Sequence, residues 1–242
     1  MNNIKHFRNI SPRNAKQKLL MELIDDKDLI FAMGSAGSGK TLLAVNKALK
    51  AIKEGTKDKI IVCRPAVAME DLGFLPGDLK EKVDPYLLPI YDCFDFLGGP
   101  NLAEDLIKDN LLEIAALGFM RGRTLNNSFI ILDEAQNTTP SQMQMFLTRF
   151  GDNVKVVITG DATQTDIKGE NGLTWAHKVL KNSDVTTFIE FSNKEVVRSA
   201  LVRSILKSID SSNNLYEKTG TKKSILPYSE TNLNGDLHFI IK

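Results

Sequence analysis

Short apolar runs alternate with longer amphipathic stretches along most of this chain. Residues 29–33, 59–63, 129–132 and 154–159 are almost continuously apolar, the pattern of strands buried on both faces of a parallel sheet, and a further strand is predicted over 186–191. Between them the apolar positions recur at helical spacing. Ser11-Pro12 is a helix-start signal, and the helix it opens runs to about Ile24 with Leu19, Leu20, Leu23 and Ile24 on one face. Leu42, Val45, Leu49 and Ile52 form the stripe of a second helix that stops at Gly55. Further helices are predicted over 84–97, 101–109, 140–150, 171–181 and 194–209, a short strand over 111–116 and a last edge strand over 236–241. The stretch 66–128 is the least regular, with a turn-rich loop at 73–78. Strands and helices alternating at this spacing predict an α/β fold, a doubly wound and mostly parallel sheet with helices on both faces.

Composition changes this picture little. A chain of 242 residues with 42% hydrophobic and 25% charged side chains fits one large α/β domain, or one domain with a tail. We expect one core over 1–210, opened by a basic arm at 1–10, and a polar extension over 211–242. Cys63 and Cys93 lie thirty residues apart without metal-ligand spacing, so reduced thiols and a cytoplasmic setting are expected. No apolar run approaches a membrane span, and the N-terminus has no apolar signal core. The net charge of +1 does not mark a nucleic-acid binder. Its distribution says slightly more: residues 1–20 carry five Lys/Arg and no acid, and 178–223 hold nine Lys/Arg against five Asp/Glu. Either could be an electrostatic footprint or ordinary solvated surface.

The chemistry centres on Gly34-Ser35-Ala36-Gly37-Ser38-Gly39-Lys40-Thr41, which fits the phosphate-cradling pattern G-x-x-x-x-G-K-[ST] between a strand and a helix. The glycines let backbone N–H groups turn toward the β- and γ-phosphates, and the helix N-terminus adds its positive dipole end. Lys40 would reach the phosphate oxygens and the Thr41 hydroxyl would hold Mg²⁺. The strand 129–132 ends in Asp133-Glu134. Asp133 is expected in the metal shell and Glu134 beside the attacking water. The strand 154–159 leads into Gly160-Asp161-Ala162-Thr163-Gln164. In a doubly wound sheet ligands bind outside the carboxyl ends of the strands, so these three sets converge on one edge. Gln164 either reports on the γ-phosphate and its water or is a plain loop residue.

The arginines are less specific. Arg198 opens a strongly patterned helix and suits either a developing phosphoryl charge or the helix surface. Arg203, five residues on, points elsewhere on that helix. Arg64, Arg121 and Arg123 sit at strand ends or in loops near the same edge, where they contact nucleotide or nucleic-acid phosphate or form structural ion pairs. Trp175, Phe94 and Phe96 are expected in the core rather than as base-stacking platforms.

Several blocks together resemble the PhoH-like ATPases, the family of the phosphate-starvation-inducible protein PhoH, over roughly residues 11–210. They are the loop at 34–41, Arg64-Pro65-Ala66-Val67, the stretch 72–86 with its Leu72-Gly73-Phe74-Leu75-Pro76-Gly77, Met120-Arg121-Gly122-Arg123-Thr124, Asp133-Glu134-Ala135-Gln136-Asn137, Gly160–Gln164 and Val196-Val197-Arg198. The resemblance implies a RecA-like P-loop NTPase core similar to that of superfamily-1 helicases. It also implies adenine reading by Gln17, γ-phosphate sensing by Gln164 and transition-state support by Arg198. One such core is expected here, without the nuclease or RNA-binding domain that some members add. Arg198 then acts in its own site or in a neighbour's, the second case implying a homo-oligomer such as a hexameric ring.

Three functions follow. The first is Mg²⁺-dependent ATP hydrolysis coupled to binding or moving along RNA or single-stranded DNA. The second is an ATPase switch acting on protein partners without nucleic acid, mildly favoured by the near-zero net charge. The third is a phosphotransferase, ranked last because Asp133, Glu134 and Gln164 suit activation of water.

Overall fold

The computed structural model describes residues 7–65 and 79–197, with the backbone alone for 79–86 and 193, together with Ser204, Ile205 and Ser208. The chain divides into two compact units, Met1–Val197 and Arg198–Lys242. Of the second, the three described residues are helical. The expected strand at 236–241, the loop at 73–78 and Arg198 all lie outside the described residues.

In the first unit the elements run α1 (Ala15–Asp26), β1 (Leu29–Gly34), α2 (Lys40–Lys53), β2 (Lys59–Arg64), α3 (Leu79–Gly98), α4 (Leu102–Lys108), β3 (Leu112–Ala116), β4 (Ser128–Leu132), α5 (Pro140–Leu147), β5 (Lys155–Gly160), α6 (Gly172–Leu180) and β6 (Thr187–Phe191). Short 3₁₀ turns follow β3, β4 and β6. All strand pairs are parallel, in the order β3-β2-β4-β5-β1-β6. The fold is the α/β, RecA-like doubly wound sheet.

The period of two along each strand divides the apolar runs between two cores. Ile30, Ala32, Ile60, Val62, Phe129, Ile131, Val157 and Ile189 face α1, α2, α3 and α4. Phe31, Ile61, Cys63, Ile130, Leu132, Val156 and Ile158 face α5 and α6. Most of these side chains are fully buried, each contributing about 1.5–3 kcal/mol for an aliphatic of this size. A strand with both faces covered has no polar side to display, which is why the runs look continuous in the sequence. Among the described residues no helix is long and apolar enough to cross a membrane.

Several expectations need correcting. The first helix starts at Ala15 under an Asn14 cap, the Asn14 side chain accepting from the Gln17 N–H, rather than at Ser11-Pro12. Its buried residues are Gln17, Leu20 and Ile24, while Leu19 is exposed. Phe94 is buried as expected, but Phe96 is half exposed, with the Arg8 guanidinium 5.1 Å above its ring. That contact, together with the Arg8 N–H donated to Leu97 O and Asn46 Nδ2 donated to Arg8 O, docks the end of the irregular arm. No helix starts at 194. Ser192 and Glu195 cap a single 3₁₀ turn, and Val196 is extended. Two distant contacts, Asn14 Nδ2 on Glu195 O and the Val197 N–H on Gly37 O, hold the chain against α1 and the phosphate loop instead.

The end of α1 is tied to the sheet by one lysine. Lys155 Nζ donates to Ile24 O, Asp25 O and Lys27 O at 2.5, 3.0 and 2.9 Å, satisfying carbonyls that a helix C-terminus leaves without partners. Lys155→Met keeps the stem and removes the donors, and should lower unfolding free energy by about 1–2 kcal/mol. Lys18→Met, which removes only an exposed i,i+4 pair to Glu22, should cost less than about 0.5 kcal/mol. Chemical denaturation of both variants checks the difference.

Candidate nucleotide site

Because every strand runs the same way, Gly34, Arg64, Leu132 and Gly160 all end at one edge of the sheet. The phosphate loop leaves β1 at that edge. Gly34 has φ +106°, and a Cβ there would stand 1.9 Å from Phe191 O, so the loop can begin only where β6 approaches a glycine. The Ser35 N–H then donates to Phe191 O at 3.1 Å. Gly39, at φ +84°, caps α2 in the left-handed region and lets the helix start at Lys40.

Lys40 is buried and curls its ammonium into the loop, 2.6 Å from Gly34 O, 2.9 Å from Ser35 O and 3.1 Å from Ser38 Oγ. Burial lowers its pKa, opposed by the charges of Asp161, Asp133 and Glu134. Asp161 is itself buried. Burial alone would raise its carboxyl, but hydrogen bonds from the Thr163 hydroxyl and N–H and the Ala36 N–H, with Lys40 nearby, outweigh it and hold the pKa below the usual value.

Asp133 collects partners from three elements. Its Oδ1 accepts from Thr41 Oγ1 at 2.7 Å and from Thr159 Oγ1 at 2.6 Å. Its Oδ2 lies 3.1 Å from Arg64 Nε. Glu134 follows in the left-handed region, φ 56° and ψ 40°, a conformation that costs a non-glycine residue about 1–2 kcal/mol. Two side chains hold it there: Gln136 Nε2 donates to Oε2 at 2.5 Å, and Arg64 Nη2 donates to Oε1 at 3.2 Å. Gln136 is buried, and its Oε1 accepts from the Asp161 N–H at 2.9 Å. One amide thus spans from the acid pair to the end of β5.

Around these groups lies a cleft of about 250 Å³ lined by residues of the loop and the start of α2, from Ala36 to Leu42, with Cys93, Asp133, Glu134, Gly160, Asp161 and Gln164. Lys40, Thr41, Asp133, Glu134 and Gln164 therefore meet in one place. Gln164 is exposed there, anchored by its N–H on Asp161 O. Gln17 sits on the loop itself: Nε2 donates to Ser38 O at 2.8 Å and Oε1 accepts from the Arg13 N–H at 2.7 Å. Arg64 belongs to the acid pair rather than to an outer surface.

Arg121 and Arg123 do not line the cleft. Arg121 is exposed, and Arg123 is bound to Glu113 on β3 through both guanidinium arms, with Lys59 Nζ 2.9 Å from the same carboxylate. Three residues of the site were not assigned roles from the sequence: Gln136, Thr159 and Cys93. The first two carried a signal, each being a polar side chain at or just beyond the end of an apolar strand. Cys93 carried none. Burial, then Asp133 and Asp92, push its thiol up to about 11, with Arg64 opposing. Burial pushes Cys63 up to about 12, so both thiols stay protonated near neutral pH.

The likeness to known proteins extends well beyond the phosphate loop. The family model for PhoH-like proteins matches residues 9–210. The chain belongs to the PhoH-like family. A PhoH-like protein of Bacillus subtilis (strain 168) is 49% identical over 209 residues, covering 85% of this chain and 66% of that protein. Protein PhoH of Escherichia coli (strain K12) is 43% identical over 207 residues, covering 82% and 58%. The chain thus spans about two thirds or less of the length of these PhoH-like relatives. Among solved structures, the large terminase of a thermophilic bacteriophage aligns at TM-score 0.47 and 16% identity over 81% of this chain and 49% of that one. The Pif1 helicase of Candida albicans aligns at TM-score 0.41 and 14% identity over 85% and 44%. Membership of the PhoH-like family supports a nucleotide-binding ATPase with the P-loop fold, and the loop at 34–41 is its candidate nucleotide site.

The Arg123–Glu113 pair is structural and gives a pH test. Hydrogen bonding from Arg123, against the opposing effect of burial and with Lys59 in support, pulls the Glu113 carboxyl down to about 2. A folded-state pKa below the unfolded value gives stability that is full above the unfolded value and is lost as pH falls toward the folded one. Glu113→Gln should therefore destabilise the protein near pH 6 and differ progressively less from wild type down to pH 3, as read from denaturation midpoints.

Proposed function

We propose that the cleft binds ATP with Mg²⁺ and hydrolyses it, and that turnover is coupled to binding RNA or single-stranded DNA. The observation that carries the hydrolytic reading is the meeting of Lys40, Thr41, Asp133 and Glu134 in one cleft, with Thr41 Oγ1 and Asp133 Oδ1 2.7 Å apart. Two hard oxygen donors at that spacing fit Mg²⁺, which keeps waters and phosphate oxygens for its remaining positions. Thr41 and Asp133 would hold the ion, which when bound neutralises charge on the β- and γ-phosphate oxygens.

The protein's own residues supply the rest. The loop N–H groups and the start of α2 receive the phosphates. Lys40 exchanges its loop carbonyls for phosphate oxygens, a trade favoured because its partners are neutral and the new ones anionic. Glu134, held by Gln136, orients the water and takes its proton. Gln164 at the far wall contacts the γ-phosphate or that water. Gln17 holds the loop through Ser38 O. Arg198 supports the transition state, from within the subunit or from a neighbour in a homo-oligomer, as its place in the family pattern suggests.

The coupling to nucleic acid draws support from the superfamily-1-like motifs and the basic segments of the chain. The near-zero net charge favours a second reading, an ATPase switch directed at protein partners. Glu134→Gln should bind ATP as the wild type does and lose turnover by about 10²-fold or more. Turnover measured with and without RNA and single-stranded DNA at low and moderate salt separates the two readings. Salt-sensitive stimulation supports the nucleic-acid motor, and robust turnover indifferent to both polymers supports the switch.

A further inference from the structure

Gln17 lies in the first turn of α1, only 5% exposed, and directs its side chain to contacts outside the helix. Nε2 donates to Ser38 O at 2.8 Å, and Oε1 accepts from the Arg13 N–H at 2.7 Å. Its own N–H donates to Asn14 Oδ1, and Asn14 Nδ2 donates to Glu195 O. The Val197 N–H on Gly37 O closes the circuit, so α1 and the 193–197 segment together hold two successive carbonyls of the phosphate loop. The amide also constrains the next residue, because a Cβ at Gly39 would stand 3.0 Å from Gln17 Nε2. Gly39, at φ +84°, is the cap from which α2 and Lys40 start. Ser38, held at its carbonyl by Gln17, also meets Lys40 Nζ at its hydroxyl, 3.1 Å away.

This placement does not suit the adenine reading that the family resemblance implies. The cleft is lined by Gly37, Gly39 and Lys40 of the loop, and Gln17 is not among its lining residues. Gln17 therefore meets the loop from outside the cleft. Each polar atom of its amide keeps one further hydrogen-bond position, but a base would have to pass the loop to reach a side chain this deeply buried. The amide is aimed at the backbone that receives phosphates, which every nucleoside triphosphate shares.

We propose that Gln17 is a positioning residue for the phosphate loop, fixing Ser38 and Gly39 and through them Lys40, and that it serves nucleoside triphosphates alike whatever their base. The inference rests on the nucleotide site proposed above and replaces base recognition by Gln17 with a role that is independent of the base.

The test is equilibrium binding of ATP, GTP and inorganic tripolyphosphate, each with Mg²⁺, to the whole chain as wild type, Gln17→Met and Gln17→Glu, with denaturation midpoints read alongside. Gln17→Met keeps the length of the side chain and removes both of its hydrogen bonds. It should weaken all three ligands by the same factor, on the order of five-fold, the scale of one neutral hydrogen bond. Gln17→Glu keeps an acceptor for the Arg13 N–H but turns a carboxylate oxygen to Ser38 O, and should weaken binding further, again without distinguishing ATP from GTP. Tripolyphosphate carries no base, so its loss of affinity is the readout that base recognition would not move. A fall confined to ATP, or several-fold larger for ATP than for GTP, with tripolyphosphate unchanged, overturns the inference in favour of adenine reading. Variants that lose stability yet bind all three ligands as wild type does assign Gln17 to packing alone and also overturn it. A wild type that binds none of the three overturns the nucleotide site itself, and this inference with it.

Discussion

A buried carboxylate must be compensated, and the compensation of Asp133 ties this fold together. Its side chain is 7% exposed, and an isolated ionised acid at that depth would be far too costly to keep. Three elements answer it: Thr41 from the start of α2, Thr159 from the end of β5 and Arg64 from the end of β2. None of these partners is near Asp133 in sequence, the Thr41 contact closing a separation of 92 residues. They reach it because β4 lies between β2 and β5 in register, Cys63 beside Leu132 and Leu132 beside Ile158. Slipping either pairing by one residue would turn its contributor to the opposite face.

The same edge gathers groups with opposed demands. Lys40 and Arg64 bring positive charge, and Asp133, Glu134 and Asp161 bring negative, in and around a space of about 250 Å³. Direct lysine–carboxylate pairing would satisfy this electrostatically and leave nothing for a ligand. Instead Lys40 bonds to neutral acceptors of the loop and Asp161 takes its hydrogen bonds from Thr163 and Ala36. The lysine charge is thereby held among dipoles that a phosphate can replace. Arg64 is the exception, set against both acids, 3.1 Å from Asp133 Oδ2 and 3.2 Å from Glu134 Oε1.

Much of this was legible from local pattern. The loop at 34–41 is contiguous, so its glycine spacing carries its own geometry, and the acid pair was recognisable because polar residues ended a run with no other polar position. The six strands were found within a residue or two, the four inner ones because strands buried on both faces leave the plainest apolar signal. Helix starts were harder. The helix expected from 194 does not begin there: Asn193–Glu195 form a single 3₁₀ turn, and contacts with Asn14 and Gly37 hold the residues up to Val197 out of a helix. Phe96 fits a buried helical spacing, yet it is half exposed and meets the Arg8 guanidinium of the arm rather than the core.

The sequence alone determined the fold class, the phosphate loop, the acid pair and their arrival at one sheet edge, because each depends on contiguous residues or on a period that any buried parallel strand must obey. Tertiary structure decided which side chain serves which neighbour. Gln136 and Thr159 are ordinary polar residues until register sets them against Glu134 and Asp133. Gln17 sits in the first helix with nothing in its surroundings to point at Ser38. Arg64, Arg121 and Arg123 are equivalent arginines in the sequence, yet one is set against Asp133 and Glu134, one faces solvent and one is fixed to Glu113. Direction and partner are properties of strand order and twist, which bring together residues that the chain keeps far apart.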